Sequence, residues 1–211
     1  MAEGGDLRAT LLSVLAWKGD PSLTRFAVEA LEDADPELRQ AALSALGRMA
    51  DPAAVPALAT HFERAEGDER LLTLGALSNV REGLAATQVD AVLLQASEDM
   101  DPVLARNAIL QRARRGDQTV VPLLVSMLDP ASYGPAAGLD RGLDAFDQGS
   151  RDQAVANAVD VFLQQACLAA EHLADPRLVP PLQKLREGDH SVKVRSAASS
   201  ALQSLGAVAG S

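Results

Sequence analysis

Asp-Pro recurs through this chain, at Asp20-Pro21, Asp35-Pro36, Asp51-Pro52, Asp101-Pro102, Asp129-Pro130 and Asp175-Pro176. An Asp carboxylate accepts hydrogen bonds from the free N–H groups that open a helix. Proline suits the first helical position, where its φ is already right and no N–H is needed. Each Asp-Pro therefore predicts a helix start, and the short steps between them predict helices of a few turns joined by tight turns. Asp117 stands to Asp101 as Asp51 stands to Asp35, although no proline follows it.

Apolar periodicity fills the intervals. Leu38, Ala41, Ala42, Ala45, Leu46 and Met49 form one stripe at helical spacing. Val194, Ala197, Ala198, Ala201, Leu202 and Leu205 repeat it position for position, with Arg195 standing where Arg39 stood. A second template, Val55, Leu58, Ala59 and Phe62, returns as Val121, Leu124, Val125 and Leu128, and Pro56 is matched by Pro122. The unit is thus a helix pair. First helices are expected near 6–18, 35–49, 68–82, 101–115, 152–174 and 190–206. Second helices are expected near 21–32, 52–65, 86–98, 118–128 and 176–187. Gly75, Ser78 and Asn79 interrupt the stripe of the third pair. Frequent prolines exclude a long coiled coil, and the helical period excludes a β fold.

The segment Asp35 to Leu58, DPELRQAALSALGRMADPAAVPAL, resembles a HEAT repeat of the short bacterial type called PBS-lyase HEAT-like. The likeness is strong over 35–62, good over 101–128 and 175–205, and weaker over 6–32 and 68–98. It implies an all-α fold, a right-handed α-solenoid of roughly five and a half helix pairs, forming a single domain over 1–211. By the same likeness, second helices line a concave face. Arg25, Glu29, His61, Arg64, Leu94, Leu123, Met127 and Lys184 are the candidate partner-binding residues on it.

The repeat stops over 129–151, between the fourth and fifth helix pairs. This stretch holds four glycines, Asp140, Asp144 and Asp147, and two aromatics, Tyr133 and Phe146. Insertions in repeat proteins commonly sit on a binding face, and aromatics are favoured at interface hot spots. Tyr133 and Phe146 are therefore expected as partner-contacting anchors. The insertion itself is expected to be a loop whose removal leaves stability nearly unchanged.

Charge and composition narrow the function. A net charge of −10 argues against nucleic acid and anionic membranes as partners. No apolar run reaches the roughly 18–20 residues that span a bilayer, and the opening Met1 to Asp6 carries no basic-then-apolar leader pattern. The expected location is cytoplasmic.

Catalytic patterns are not found. His61, His172 and His190 lie in different repeats without metal-ligand spacing, and no metal or cofactor is expected. Cys167 sits in an apolar stripe and reads as a core residue. The HEAT-like iron hydroxylases use several His-Glu pairs across repeats, and this sequence has none. The HEAT-like DNA glycosylases use a basic concave surface, which does not suit an acidic chain. Arg8, Arg39, Arg106 and Arg195 recur on first helices and are expected to form a structural ladder bonding cap aspartates of neighbouring repeats. Arg112, Arg114 and Arg115 form the densest basic spot.

Two functions follow. The chain is expected to be a non-enzymatic scaffold or adaptor that binds a protein partner through the second-helix ridge and the insertion. The alternative implied by the resemblance is a subunit of a phycobilin lyase-like enzyme acting on tetrapyrrole–protein linkages.

Overall fold

The structure is a computed structural model that describes residues 10, 12, 14, 21–81, 83–134 and 137–209. Every regular element among the described residues is helical. The first predicted helix, near 6–18, lies almost wholly outside them, as do Arg8 and Asp20. Contacts group the chain into two compact units, Met1–Gln95 and Ala96–Ser211, where the repeat pattern alone predicts one continuous domain.

In the first unit, α1 spans Thr24–Ala30, α2 Pro36–Met49, α3 Val55–Arg64 and α4 Gly67–Ser78. Helix α5 follows at Leu84–Ser97. In the second unit, α6 spans Pro102–Arg114, α7 Val121–Met127, α8 Gln148–Ala170, α9 Val179–Glu187 and α10 Val192–Ala209.

The Asp-Pro signals act as expected. Asp35 accepts from the Glu37 N–H at 2.9 Å, and Asp101 accepts from Val103 at 2.9 Å. Both helices are preceded by the same turn, in which Asp33 accepts from the Asp35 N–H and Asp99 from the Asp101 N–H. Asp51, Asp129 and Asp175 cap short 3-10 turns at Pro52–Ala54, Pro130–Ser132 and Pro176–Leu178. Asp117 does the same for Gln118–Val120 without a proline.

The junction inside a helix pair is built the same way three times. The residue before the capping aspartate is left-handed: Ala50 at φ 48°, Gly116 at 82° and Ala174 at 49°. This reversal ends one helix, and the aspartate opens the next. Val55-Pro56, Val121-Pro122 and Val179-Pro180 then begin the second helix, which explains the recurring Val-Pro.

Packing follows repeat order within each unit. Helix α2 touches α1 and α4, and α3 touches α4. Helix α8 touches α6, α7 and α10, and α9 packs on α10. Each helix pair buries its apolar stripe against neighbouring helices of the same unit, as arrays of helix pairs do. Leu38, Ala42, Ala45 and Leu46 are buried as the stripe requires. Leu43 is buried too, outside the narrow stripe, because α2 is covered on two sides.

The interrupted third pair has a packing reason. A Cβ on Gly47 would stand 3.2 Å from the Ala76 backbone, so the glycine lets α2 and α4 approach closely. Asn79 donates to the Gly47 carbonyl at 2.8 Å, and Ser78 turns its hydroxyl back to the Gly75 carbonyl.

The insertion is more ordered than a plain loop. Tyr133 and Ala137 are buried in the core of the second unit, with Leu163, Cys167 and Leu178. Asp147 caps α8 by accepting from the Ser150 N–H and hydroxyl. The helix therefore begins at Gln148, one turn before the predicted 152.

Candidate functional site

Helix α8 starts early, and that places Gln148, Arg151, Asp152, Val155 and Ala156 on one face at helical spacing. Together with Tyr133, Leu139 and Asp140 from the insertion they line a cavity of about 520 Å³. The aromatic and aliphatic groups provide an apolar lining, with Asp140 and Asp152 exposed on it. Gln148 donates to Asp152 at 2.7 Å. Arg151 is committed to backbone: it donates to the carbonyls of Phe146 at 3.0 Å and Asp144 at 2.8 Å. Phe146 is thereby fixed beside a cavity-lining residue, and the residue is 55% exposed.

Tyr133 differs from expectation. It is 7% exposed, and its hydroxyl donates to the Met127 carbonyl at 2.9 Å. Its ring packs against Phe162, with centroids 6.0 Å apart, and lies under the Arg106 guanidinium. Burial pushes the Tyr133 hydroxyl well above the usual phenol range. This tyrosine closes the core rather than offering an exposed anchor. In a chain with one tyrosine, periodicity could not distinguish the two roles.

The arginine ladder is corrected in its partners. Arg39 donates in fork geometry to Glu69, at 2.7 and 3.1 Å, and to the carbonyls of Asp33 and Ala34. Arg106 donates to the carbonyls of Ala137 at 2.9 Å and Pro102 at 3.3 Å. Arg195 donates to the His190 carbonyl at 2.8 Å. Arg106 and Arg195 thus hold backbone carbonyls and Arg39 joins Glu69, in place of the expected cap aspartates. Cap aspartates are met instead by arginines off the ladder: Arg141 of the insertion pairs with Asp101 at 2.6 Å, Arg112 with Asp117 at 2.8 Å and Arg177 with Asp175 at 2.7 Å. Burial would raise the Asp101 carboxyl. The Arg141 bond and the Val103 and Leu104 N–H groups outweigh it and hold Asp101 below its ordinary range.

The ridge candidates divide. Leu94 and Leu123 are exposed, while Met127 and His61 are buried. Met127 faces inward because α7 is short and closes on the core at its last turn. Arg25 and Glu29 are exposed and pair with each other along α1 at 3.0 Å. Arg64 pairs with Glu32 at 2.6 Å, and Lys184 stands 3.8 Å from Asp129. The last two pairs join neighbouring repeats inside a unit.

His61 lies with its Nε2 3.1 Å from Glu69, at the floor of a second cleft of about 400 Å³ whose rim carries Glu32, Arg64 and Glu66. The Arg39 bond holds the Glu69 carboxyl below its usual range. Glu69 was not singled out in sequence. Its signal was position, in the first turn of the helix one repeat after Arg39.

Cys167 and Arg112, singled out in the sequence, are shielded or occupied. Burial, and then the Glu171 charge, pushes the Cys167 thiol up to about 12. Arg112 is held by Asp117 at 2.8 Å and by Ser97 at 2.7 Å, so it serves its helix end. Among the described residues no group of His, Cys, Asp and Glu side chains could hold a metal ion. No helix among them is long and apolar enough to cross a membrane.

Comparison with protein families matches residues 3–78 to HEAT repeats. The match covers α1 to α4, where the Asp35-Pro36 and Asp51-Pro52 turns and the Gly47 contact lie. No curated protein matches the chain. In the second unit the helix-pair pattern rests on its own residues, through the Ala174-Asp175-Pro176 junction and the α10 stripe.

Proposed function

We propose that this chain is a non-enzymatic protein-interaction scaffold, which docks a protein partner on exposed second-helix residues and on the insertion. HEAT repeats commonly serve as such scaffolds, and the helix pairs here bury their inner stripes. The observation that carries the reading is the cavity between the insertion and α8, with Phe146 held exposed next to it. Large apolar side chains kept in solvent beside a concavity are characteristic of docking sites. Leu123 on α7 is a further exposed apolar group of the same unit.

The test is affinity capture from source lysate with the tagged full chain, compared with Phe146→Ala and Leu123→Ala. Both positions are exposed, so both variants should keep the parent melting temperature. A stoichiometric protein retained by the parent and lost with Phe146→Ala supports the proposal. Capture of nothing by the parent, or capture by both variants equal to the parent's, rejects it.

A further inference from the structure

The cavity lined by the insertion and α8 has an uneven charge balance. We propose that it seats a basic side chain, lysine or arginine, of the protein partner. This rests on the scaffold reading and specifies its chemistry. Both residues carry an apolar methylene stem and a charged head. The cavity offers a matching pair of surfaces. Tyr133, Leu139, Val155 and Ala156 supply apolar groups for the stem, and the Asp140 and Asp152 carboxylates receive the head.

The guanidinium N–H groups nearby are committed, although Arg151 keeps its positive charge in the lining. Arg151 donates to two carbonyls, and Arg141 is paired with Asp101. Asp140 has no ion-pair partner among the described residues, and Asp152 accepts only the neutral Gln148 amide. Asp144 and Asp147 add two more carboxylates in the turns leading into α8. Against these four carboxylates stand the Arg151 charge in the lining and the roughly half positive charge at the N-terminus of α8, so the surroundings stay net negative. An acidic or purely aliphatic side chain would leave the carboxylates unmatched. A basic one pairs with them while its stem covers the apolar groups.

The experiment uses the full chain, isotope-labelled, with short acetylated and amidated alanine peptides that differ at one central residue. Arginine and lysine peptides should shift the amide resonances of Gln148, Arg151, Asp152 and Ala156. The norleucine peptide, which keeps the stem and lacks the charge, should bind at least roughly ten-fold more weakly. The glutamate peptide should produce no shift. The double variant Asp140→Asn/Asp152→Asn should retain its circular dichroism and lose about ten-fold in affinity for the arginine peptide. Equal binding of norleucine and lysine peptides, shifts centred elsewhere, or an unaffected double variant would each overturn the proposal. Lysate capture separates it from the scaffold reading. A partner captured equally by parent and double variant overturns the basic-side-chain pocket and leaves the scaffold. The arginine-peptide response without any captured protein supports the pocket and removes the scaffold.

Discussion

The Tyr133 hydroxyl donates to the carbonyl of Met127 at 2.9 Å, tying the insertion to the last turn of α7. Both residues are buried, so this bond closes the core where the repeat pattern breaks. A buried hydroxyl bond contributes about 1 kcal/mol net. Tyr133→Phe should lose that amount in urea denaturation, and Tyr133→Ala about 3–5 kcal/mol through the cavity it leaves. Deleting 131–150 should also lower the midpoint, contrary to what its glycines and polar residues suggest. An unchanged midpoint for the deletion would show that Tyr133 and Ala137 carry no core function.

The Arg39–Glu69 pair joins α2 to α4 with both side chains partly buried. Glu69→Gln leaves a partly buried guanidinium without its counter-charge and should cost about 2 kcal/mol. Chemical denaturation of the full chain measures this. A loss no greater than that of Arg25→Gln, at an exposed pair, would mean the bridge adds nothing beyond surface charge.

Acid should weaken the fold through carboxylates whose pKa values lie lower folded than unfolded. The groups are Glu69, held down by Arg39, Asp101, by Arg141 and the Val103 and Leu104 N–H groups, and Asp117, by the Thr119 hydroxyl and N–H and then by Arg112. Such groups stabilise the fold fully above their unfolded values of about 4. That stability is lost as pH falls through the lower folded values. Urea midpoints should therefore be level from pH 7 to 5 and fall below about pH 4.

Two alanines occupy left-handed backbone before an aspartate cap, Ala50 and Ala174. Glycine removes a steric penalty of roughly 1–2 kcal/mol there, offset by its larger unfolded-state freedom. Ala50→Gly and Ala174→Gly should each stabilise by roughly 0.5 kcal/mol. Gly116 already occupies the third copy of this junction, and Gly116→Ala should destabilise by a similar amount. Thermal melts of the three variants give the comparison, and a destabilised Ala50→Gly would contradict the strain.

Cys167 should behave as a core residue. With its thiol near 12, roughly one in ten thousand would be ionised at pH 8. A thiol-specific chromogenic disulfide should not label the native chain within minutes and should label it at once in denaturant. Rapid native labelling would require an open path to the α8 core.

Much of the helix-pair fold was written locally. Asp35, Asp51, Asp101 and Asp175 mark helix and turn starts because capping involves only the next two or three residues. Leu38, Leu58 and Val194 mark buried faces because helical spacing fixes which side chains share a side. The partners chosen across the chain could not be read in the same way. Arg39 selects Glu69 thirty residues on, and Tyr133 reaches back to Met127, because those contacts depend on where stacked helices bring distant atoms. The candidate site shows both sources. Asp147 and Ser150 encode the early start of α8, a local signal. Only tertiary packing decided that Tyr133 would be buried, Phe146 exposed and Arg151 turned to backbone carbonyls. Those outcomes follow from competition for core volume and hydrogen-bond partners, which no single segment settles alone.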